Sequence, residues 1–234
     1  KKKLVKGQNF SNYKNAGNPI TTILALDSQK ADEIFLIDLD AYKSRKNPDI
    51  ETLKKISEIL STPLTFGGGV ENIEASKKIL MNGADKVFIN TAFISNKKLI
   101  EEIAYIFGSQ AIVAGLNLIN YKNSFIISED NSKRIDPINY IKELEDRGVG
   151  EIKITYVDIE GSRKGMEIEY SKKILAKARV PIIFEGGIGK LDHLKECCEN
   201  KINNIAIGSL ITFSDYNIIK IKQYLNNENF EVRI

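Results

Sequence analysis

Two segments of this chain repeat each other at a fixed offset: Pro63-Leu-Thr-Phe-Gly-Gly-Gly-Val70 and Pro181-Ile-Ile-Phe-Glu-Gly-Gly-Ile188 lie 118 residues apart (181 − 63). The same offset carries Asp40 and the following Ser44-Arg45-Lys46 onto Asp158 and Ser162-Arg163-Lys164, and it carries Asn90-Thr91 onto Gly208-Ser209. In a chain of 234 residues this period is close to half the length. Self-similarity of that kind reads as two copies of one structural unit, and it constrains the architecture more than any single motif does.

Inside each copy the pattern alternates. Short runs rich in β-branched residues, at 34–38, 64–66, 86–89, 111–116, 152–155, 182–184 and 204–207, read as buried strands. Amphipathic stretches at 20–29, 49–60, 73–81, 97–107, 137–146, 169–178 and 191–199, with an eighth at 216–226, read as helices. Asn47-Pro48 and Asp136-Pro137 are expected to be N-cap and first-turn pairs. Leu4-Val5 reads as the tail of a further strand that starts upstream of Lys1, so the first strand is expected to be truncated. Strict βα alternation predicts an α/β fold: a (β/α)8 TIM barrel built from two duplicated half-barrels, one domain over residues 1–234. A doubly wound open sheet is the alternative.

The composition, 42% hydrophobic with 34 Lys and Arg interleaved among 31 Asp and Glu, allows a full core and a solvated surface. No basic stripe with aromatics between the charges points to nucleic acid. No apolar run approaches the ~18–20 residues of a membrane span, and the Lys-Lys-Lys-Leu-Val-Lys start lacks the apolar segment of a signal peptide. Cys197 and Cys198 are adjacent and read as structural and unbridged, which points to a reduced, cytoplasmic protein. His193, the only histidine, falls in the seventh helix and reads as a surface residue. No His or Cys cluster has metal-ligand spacing, so neither a metal nor a cofactor is expected.

Barrels place their reactive groups at the C-terminal ends of the strands. Gly67-Gly68-Gly69 and Gly186-Gly187 each follow a strand and precede a helix. Without a Cβ the backbone approaches an anion closely, and N–H groups that open the next helix can point at it. Either segment alone is also compatible with a tight turn. Asn90-Thr91 and Gly208-Ser209 supply neighbouring donors, and two symmetric anion sites imply a substrate with a phosphate at each end. Between them, the groups that could move protons are Asp38, Asp40, Asn117, Asp158 and Glu160, with Lys6 after the first strand. Each carboxylate could equally be a helix N-cap or a partner of Arg45 or Arg163.

The stretches Leu4-Val-Lys-Gly-Gln-Asn-Phe10, Phe66-Gly-Gly-Gly-Val70, Gly83-Ala-Asp-Lys-Val-Phe-Ile-Asn-Thr-Ala92, Phe107-Gly-Ser-Gln110 and Gly148-Val-Gly-Glu151 resemble the cyclase subunit of imidazole glycerol phosphate synthase. The resemblance runs over essentially the whole chain, through Glu231-Val-Arg-Ile234. It implies that ammonia from a partner glutaminase crosses the barrel and meets a bis-phosphorylated ribulosyl substrate at the mouth, yielding imidazole glycerol phosphate and an aminoimidazole carboxamide ribotide. It further implies that Gly68, Gly69, Asn90, Thr91, Gly161, Gly186, Gly187, Gly208 and Ser209 hold the phosphates, with Lys6 near the substrate. Glu33, Lys86 and Glu151 match charged residues around the ammonia entrance, and Asp85 matches one that faces the glutaminase, in an expected heterodimer.

Three positions depart from that family. It uses two aspartates as general acid and base, one at the end of strand one and one at the end of strand five. The first would lie upstream of Lys1, as the repeat offset also indicates (117 − 118 = −1), and the second aligns with Asn117. A carboxamide cannot accept and return a proton, and such assistance is typically worth ~10²- to 10⁴-fold. Glu185 stands where the family has a small residue beside a phosphate, either repelling it or pairing with a lysine. Glu160 replaces an aspartate. The leading expectation is a glutaminase-coupled lyase of histidine biosynthesis, with Asn117, Lys6 and Glu160 in catalytic positions. The alternatives are a paralogue that channels ammonia for amidation of a surface-glycan sugar, whose relatives the Ile37-Asp-Leu-Asp-Ala41 segment resembles, and a sugar-phosphate isomerase on the same scaffold.

Overall fold

The computed structural model describes residues 2–44, 46–122, 124–128 and 135–233, and of residues 42–44 the backbone alone. Arg45, offered above as a carboxylate partner, lies outside the described residues. A hairpin comes first, β1 (Leu4–Gln8) and β2 (Ser11–Gly17), then α1 (Pro19–Ser28), β3 (Ile34–Ile37), α2 (Leu39–Ser44), α3 (Ile50–Ser57), β4 (Leu64–Gly67), α4 (Ile73–Met81) and β5 (Lys86–Ile89). There follow α5 (Ala92–Ser95), α6 (Lys98–Phe107), β6 (Ile112–Tyr121), β7 (Ser124–Ile127), α7 (Pro137–Asp146), β8 (Glu151–Tyr156) and α8 (Ile168–Leu175). The chain closes with β9 (Ile182–Glu185), α9 (Leu191–Glu199), β10 (Ile205–Ala206), α10 (Ser209–Thr212) and α11 (Ile218–Asn227).

Among the described residues seven strands pair in parallel in the order β3-β4-β5-β6-β8-β9-β10, with β7 antiparallel on the end of β6. This is the β/α-barrel arrangement expected from the alternation, each strand returning to its neighbour through a helix on the outer face. The β-branched residues of alternate positions explain the two layers. Val87, Ile89, Ile112, Ala114, Ile152, Ile154 and Phe184 turn outward and are fully buried under the helices, where they meet Leu53, Ile79, Ile103, Leu144 and Ile174.

Caps set several helix starts. The Asp136 side chain accepts from Asn139 N–H at 2.9 Å ahead of Pro137, as expected, and Asn18, not foreseen, accepts hydrogen bonds from the Ile20 and Thr21 N–H groups ahead of Pro19. The start read at Asn47-Pro48 falls instead at Ile50, because the capping acceptor is Asp49, which takes the Thr52 N–H at 3.2 Å.

Leu4-Val5 is not the tail of a barrel strand. Leu4 pairs with Gly17 and Lys6 with Lys14 in an antiparallel hairpin outside the parallel ladder. Its Asn9-Phe10 turn has both residues at positive φ (50° and 53°), the backbone of a two-residue hairpin turn. Asn9 N–H donates to the Glu160 carbonyl at 3.2 Å, which seats the hairpin over the loop after β8.

Candidate active site at the barrel mouth

Strand register fixes which side chains share a level inside the barrel. Asn117 pairs with Thr155, Thr155 with Glu185 and Glu185 with Ala206, so β6, β8, β9 and β10 present one layer near their C-terminal ends. One layer below, Gly115 pairs with Lys153 and Lys153 with Ile183. Below that, Val113 pairs with Glu151 at the strand starts.

Ionic contacts join these upper two layers. Lys153, only 4% exposed, forms an ion pair with Glu185 and donates to Thr155 Oγ1 at 2.9 Å, while Thr155 Oγ1 donates to Glu185 Oε2 at 3.0 Å. Lys6 reaches in from the hairpin to an ion pair with Glu160, itself buried, and stands 3.6 Å from Glu185. Glu185 therefore answers the question its position raised: it pairs with lysines. Burial works to raise its carboxyl, but the Lys153 and Lys6 charges prevail and hold it down at about 2. Burial works against the Lys6 ammonium, and the Glu185 and Glu160 charges outweigh that and raise it. Lys153 escaped the reading of the sequence, although a lysine between Ile152 and Ile154 in a strand is a period-two signal for an inward charge.

Both glycine segments sit at strand ends in matching conformations. Gly68 and Gly69 after β4 have φ of 103° and 66°, and Gly186 and Gly187 after β9 have 127° and 79°. A Cβ on Gly69 would lie 2.7 Å from Lys46 O, and one on Gly187 would collide with Gly165 O. Only glycine suits these positions, and the repeat extends to backbone geometry. Asn90 and Thr91 follow β5 and open α5, and Gly208 and Ser209 follow β10 and open α10. A Cβ on Gly208 would lie 3.1 Å from Lys6 Nζ, so the hairpin cation stands against this loop. Gly161, at φ 74°, packs against the hairpin, where a Cβ would come within 2.7 Å of Gly7 O.

Other candidates have structural partners. Asp38 accepts from the Asp40 and Ala41 N–H groups at 3.0 Å and from Asp49 N–H at 3.1 Å, so it organises the loop after β3. Asp158 accepts from Asn120 N–H at 2.6 Å, and Asp40 is exposed. His193 is half-buried, not a plain surface residue: its Nδ1 accepts the Gly189 N–H at 3.2 Å, and burial lowers its pKa. Cys197 and Cys198 are free, and burial pushes the Cys197 thiol up to about 12. Among the described residues no group of three or more His, Cys, Asp or Glu could hold a metal ion, and no helix is long and apolar enough to cross a membrane.

At the opposite end of the barrel Lys86 Nζ lies 2.8 Å from Glu33 and 2.7 Å from Glu151, and Thr65 Oγ1 hydrogen-bonds Glu33. Burial opposes the Lys86 charge, but its bonds to Glu151 and Glu33 prevail and raise its pKa. Asp85 is exposed at the same end, with its carboxylate accepting Leu64 N–H at 2.8 Å. A cavity of about 1730 Å³ spans both ends, lined among others by Glu33, Phe88, Asn90, Lys153, Glu185 and Gly208.

A parallel β/α barrel with duplicated glycine loops at its mouth, an ionic cluster between them and a charged ring at its base defines the class. The family model described as "Histidine biosynthesis protein" matches residues 1–217, and this chain belongs to that family. It is 39% identical to the imidazole glycerol phosphate synthase subunit HisF of Sulfurisphaera tokodaii, over 99% of this chain and 94% of the relative. The proteins of the same printed name from Clostridium botulinum (strain Kyoto / Type A2) and a Hydrogenobaculum species are 35% and 33% identical, with the same coverage.

Proposed function

We propose that this protein is the ammonia-using cyclase subunit of an imidazole glycerol phosphate synthase, a lyase of histidine biosynthesis. It takes a bis-phosphorylated ribulosyl substrate and ammonia to imidazole glycerol phosphate and an aminoimidazole carboxamide ribotide. The observation that carries this reading is the pair of positive-φ glycine loops at matched strand ends, together with the relatives' shared name. That name lends no support to the glycan-amidation or isomerase readings.

In this reading the loops at Gly68-Gly69, Asn90-Thr91 and Gly161 with Gly186-Gly187, Gly208-Ser209 hold one phosphate in each half, through backbone N–H groups that need no side chain. Lys6, standing against Gly208, transfers from its carboxylates to the arriving phosphate. That exchange leaves Glu160 ionised and unpaired at the mouth, where it can take a proton. Lys153 keeps Glu185 compensated meanwhile, so the layer that includes Asn117 stays ordered.

The partner is a glutaminase docked on the base. Partly buried charges at the base of the barrel are costly unless paired, and the Glu33–Lys86–Glu151 ring suits a gate through which ammonia enters. Met81 at the end of α4 and Tyr105 in the last turn of α6 are 70% and 91% exposed. Helices run opposite to their strands, so both side chains stand at the base, beside Asp85 and the ring, as an apolar contact for the partner. The test is ammonia-dependent consumption of the bis-phosphorylated substrate without glutaminase. Turnover is expected; its absence, with glutaminase binding retained, would replace a catalyst by a channelling module.

A further inference from the structure

The reaction read above moves protons in two directions. The nitrogen of ammonia sheds protons as it enters the imidazole ring, while the nitrogen that departs with the ribotide becomes an amine and must gain one. Glu160 serves the first need once Lys6 has left it. For the second, Asn117 has nothing to give, since a carboxamide does not release a proton near neutral pH. Lys6 is by then on the phosphate and Lys153 stays on Glu185. A further group with a transferable proton is needed.

The hairpin carries one. Along β2 Tyr13 and Ala16 are half-buried between exposed neighbours, and both line the cavity, as do Lys6, Gly7, Asn117 and Glu160. Tyr13 is therefore the large side chain that β2 turns toward the barrel. Gly7 makes room for it: a Cβ there would lie 3.0 Å from Tyr13 Cδ1, so the ring rests on the β1 backbone. Its hydroxyl stands in the field of the ion pair that seats the hairpin. Burial raises the Tyr13 hydroxyl above the ordinary phenol value, the Glu160 carboxylate adds to this, and the Lys6 ammonium opposes it. The phenol is thus protonated at neutral pH. Once Glu160 has itself taken a proton, the anion that resists ionisation of the phenol is gone. Acceptance at Glu160 then favours donation at Tyr13.

We propose that Tyr13 is the general acid of this site, giving its phenolic proton to the nitrogen that leaves with the ribotide while Glu160 accepts a proton from the nitrogen that entered as ammonia. This rests on the cyclase reading above. The breaking carbon–nitrogen bond leaves its electron pair on the departing nitrogen, which takes the phenolic proton. The Glu160 carboxyl then returns its proton to the phenolate, so both groups regain their starting state. The acid shares its hairpin with Lys6, and one element delivers the phosphate's cation and the proton together.

Two replacements test the role. Tyr13→Phe keeps the ring on Gly7 and removes the proton; it should lower kcat for ammonia-dependent turnover by about 10²-fold or more and leave the substrate KM within about threefold. Replacing Tyr13 by 3,5-difluorotyrosine, a stronger acid of nearly the same shape, should retain most of the wild-type turnover and move the basic limb of the kcat–pH profile to lower pH. A tyrosine that acts through packing alone would leave that limb in place. If Tyr13→Phe turns over within about threefold of the wild type, or if the basic limb of the difluorotyrosine enzyme does not move, the proposal falls and the cyclase reading stands. Absence of turnover in the wild type would remove the cyclase reading and this proposal with it.

Discussion

Lys153 and Glu185 sit inside the barrel where apolar side chains would pack with less desolvation, so the pair is better explained by the mouth's chemistry than by stability. Lys153→Met alone leaves Glu185 short of its main counter-charge and should destabilise the fold by up to about 3–5 kcal/mol in chemical denaturation, while Lys153→Met with Glu185→Gln should recover most of that loss. The pair also predicts a pH dependence. The Glu185 carboxyl titrates at about 2 in the folded protein and near ~4.3 when unfolded, so the unfolded chain binds the proton more readily. Its contribution is complete above the unfolded value and disappears as pH falls from there through about 2. The acid limb of the wild-type stability curve should be correspondingly steeper than that of the double variant. In the same layer, Asn117→Asp supplies a group that can accept and return a proton, and ammonia-dependent turnover should rise by about tenfold or more. No change would mean that Glu160 already serves.

The glycine loops show what a sequence discloses about elements. Their doubling at 118 residues made them visible, and the positive φ at Gly69 and Gly187 gives the reason that only glycine occurs there. Gly187→Ala should therefore cost more than a loop substitution normally does: strain at φ 79° and a collision with Gly165 O. Its expected readout is a rise of about tenfold or more in the substrate KM, with weakened binding of inorganic phosphate by calorimetry. Long helices were legible for a related reason. Their periodicity spans several turns, and Asn18, Asp49, Asn72, Asp136 and Asn217 cap five of them. The hairpin β1–β2 was not legible, since none of its residues is fully buried and its arms carry no apolar alternation, and its turn pairs Asn9 with Phe10 in place of the usual glycine. Helices α2, α5 and α10, of four to six residues, are too short for a period to register. The Lys153–Glu185 contact depends on the β8–β9 register, which no local pattern encodes.

At the scale of the whole molecule, the Glu33–Lys86–Glu151 ion pairs and the Lys153–Glu185 pair lie toward opposite ends of the barrel, so the entrance and the reaction site proposed for them can be disabled separately. Lys86→Met removes the cation that bridges Glu33 and Glu151 at the base. Glutamine-driven turnover in the complex should fall about tenfold or more while turnover with free ammonia stays within about threefold. Replacing Met81 or Tyr105 by lysine should weaken glutaminase binding by about tenfold without touching free-ammonia turnover. Lys6 is different from every other charged group at the mouth, because it is carried by a hairpin outside the parallel ladder and tied to it through the Asn9–Glu160 backbone bond and the Lys6–Glu160 ion pair. Such an element opens at a fraction of the free energy needed to unfold the barrel. Amides of residues 4–17 should exchange with solvent through local opening, in contrast to those of β5, β6 and β8, and a bound bis-phosphate should slow them selectively. In the proposed function the hairpin cation Lys6 works as a clasp, whose release sets when product leaves.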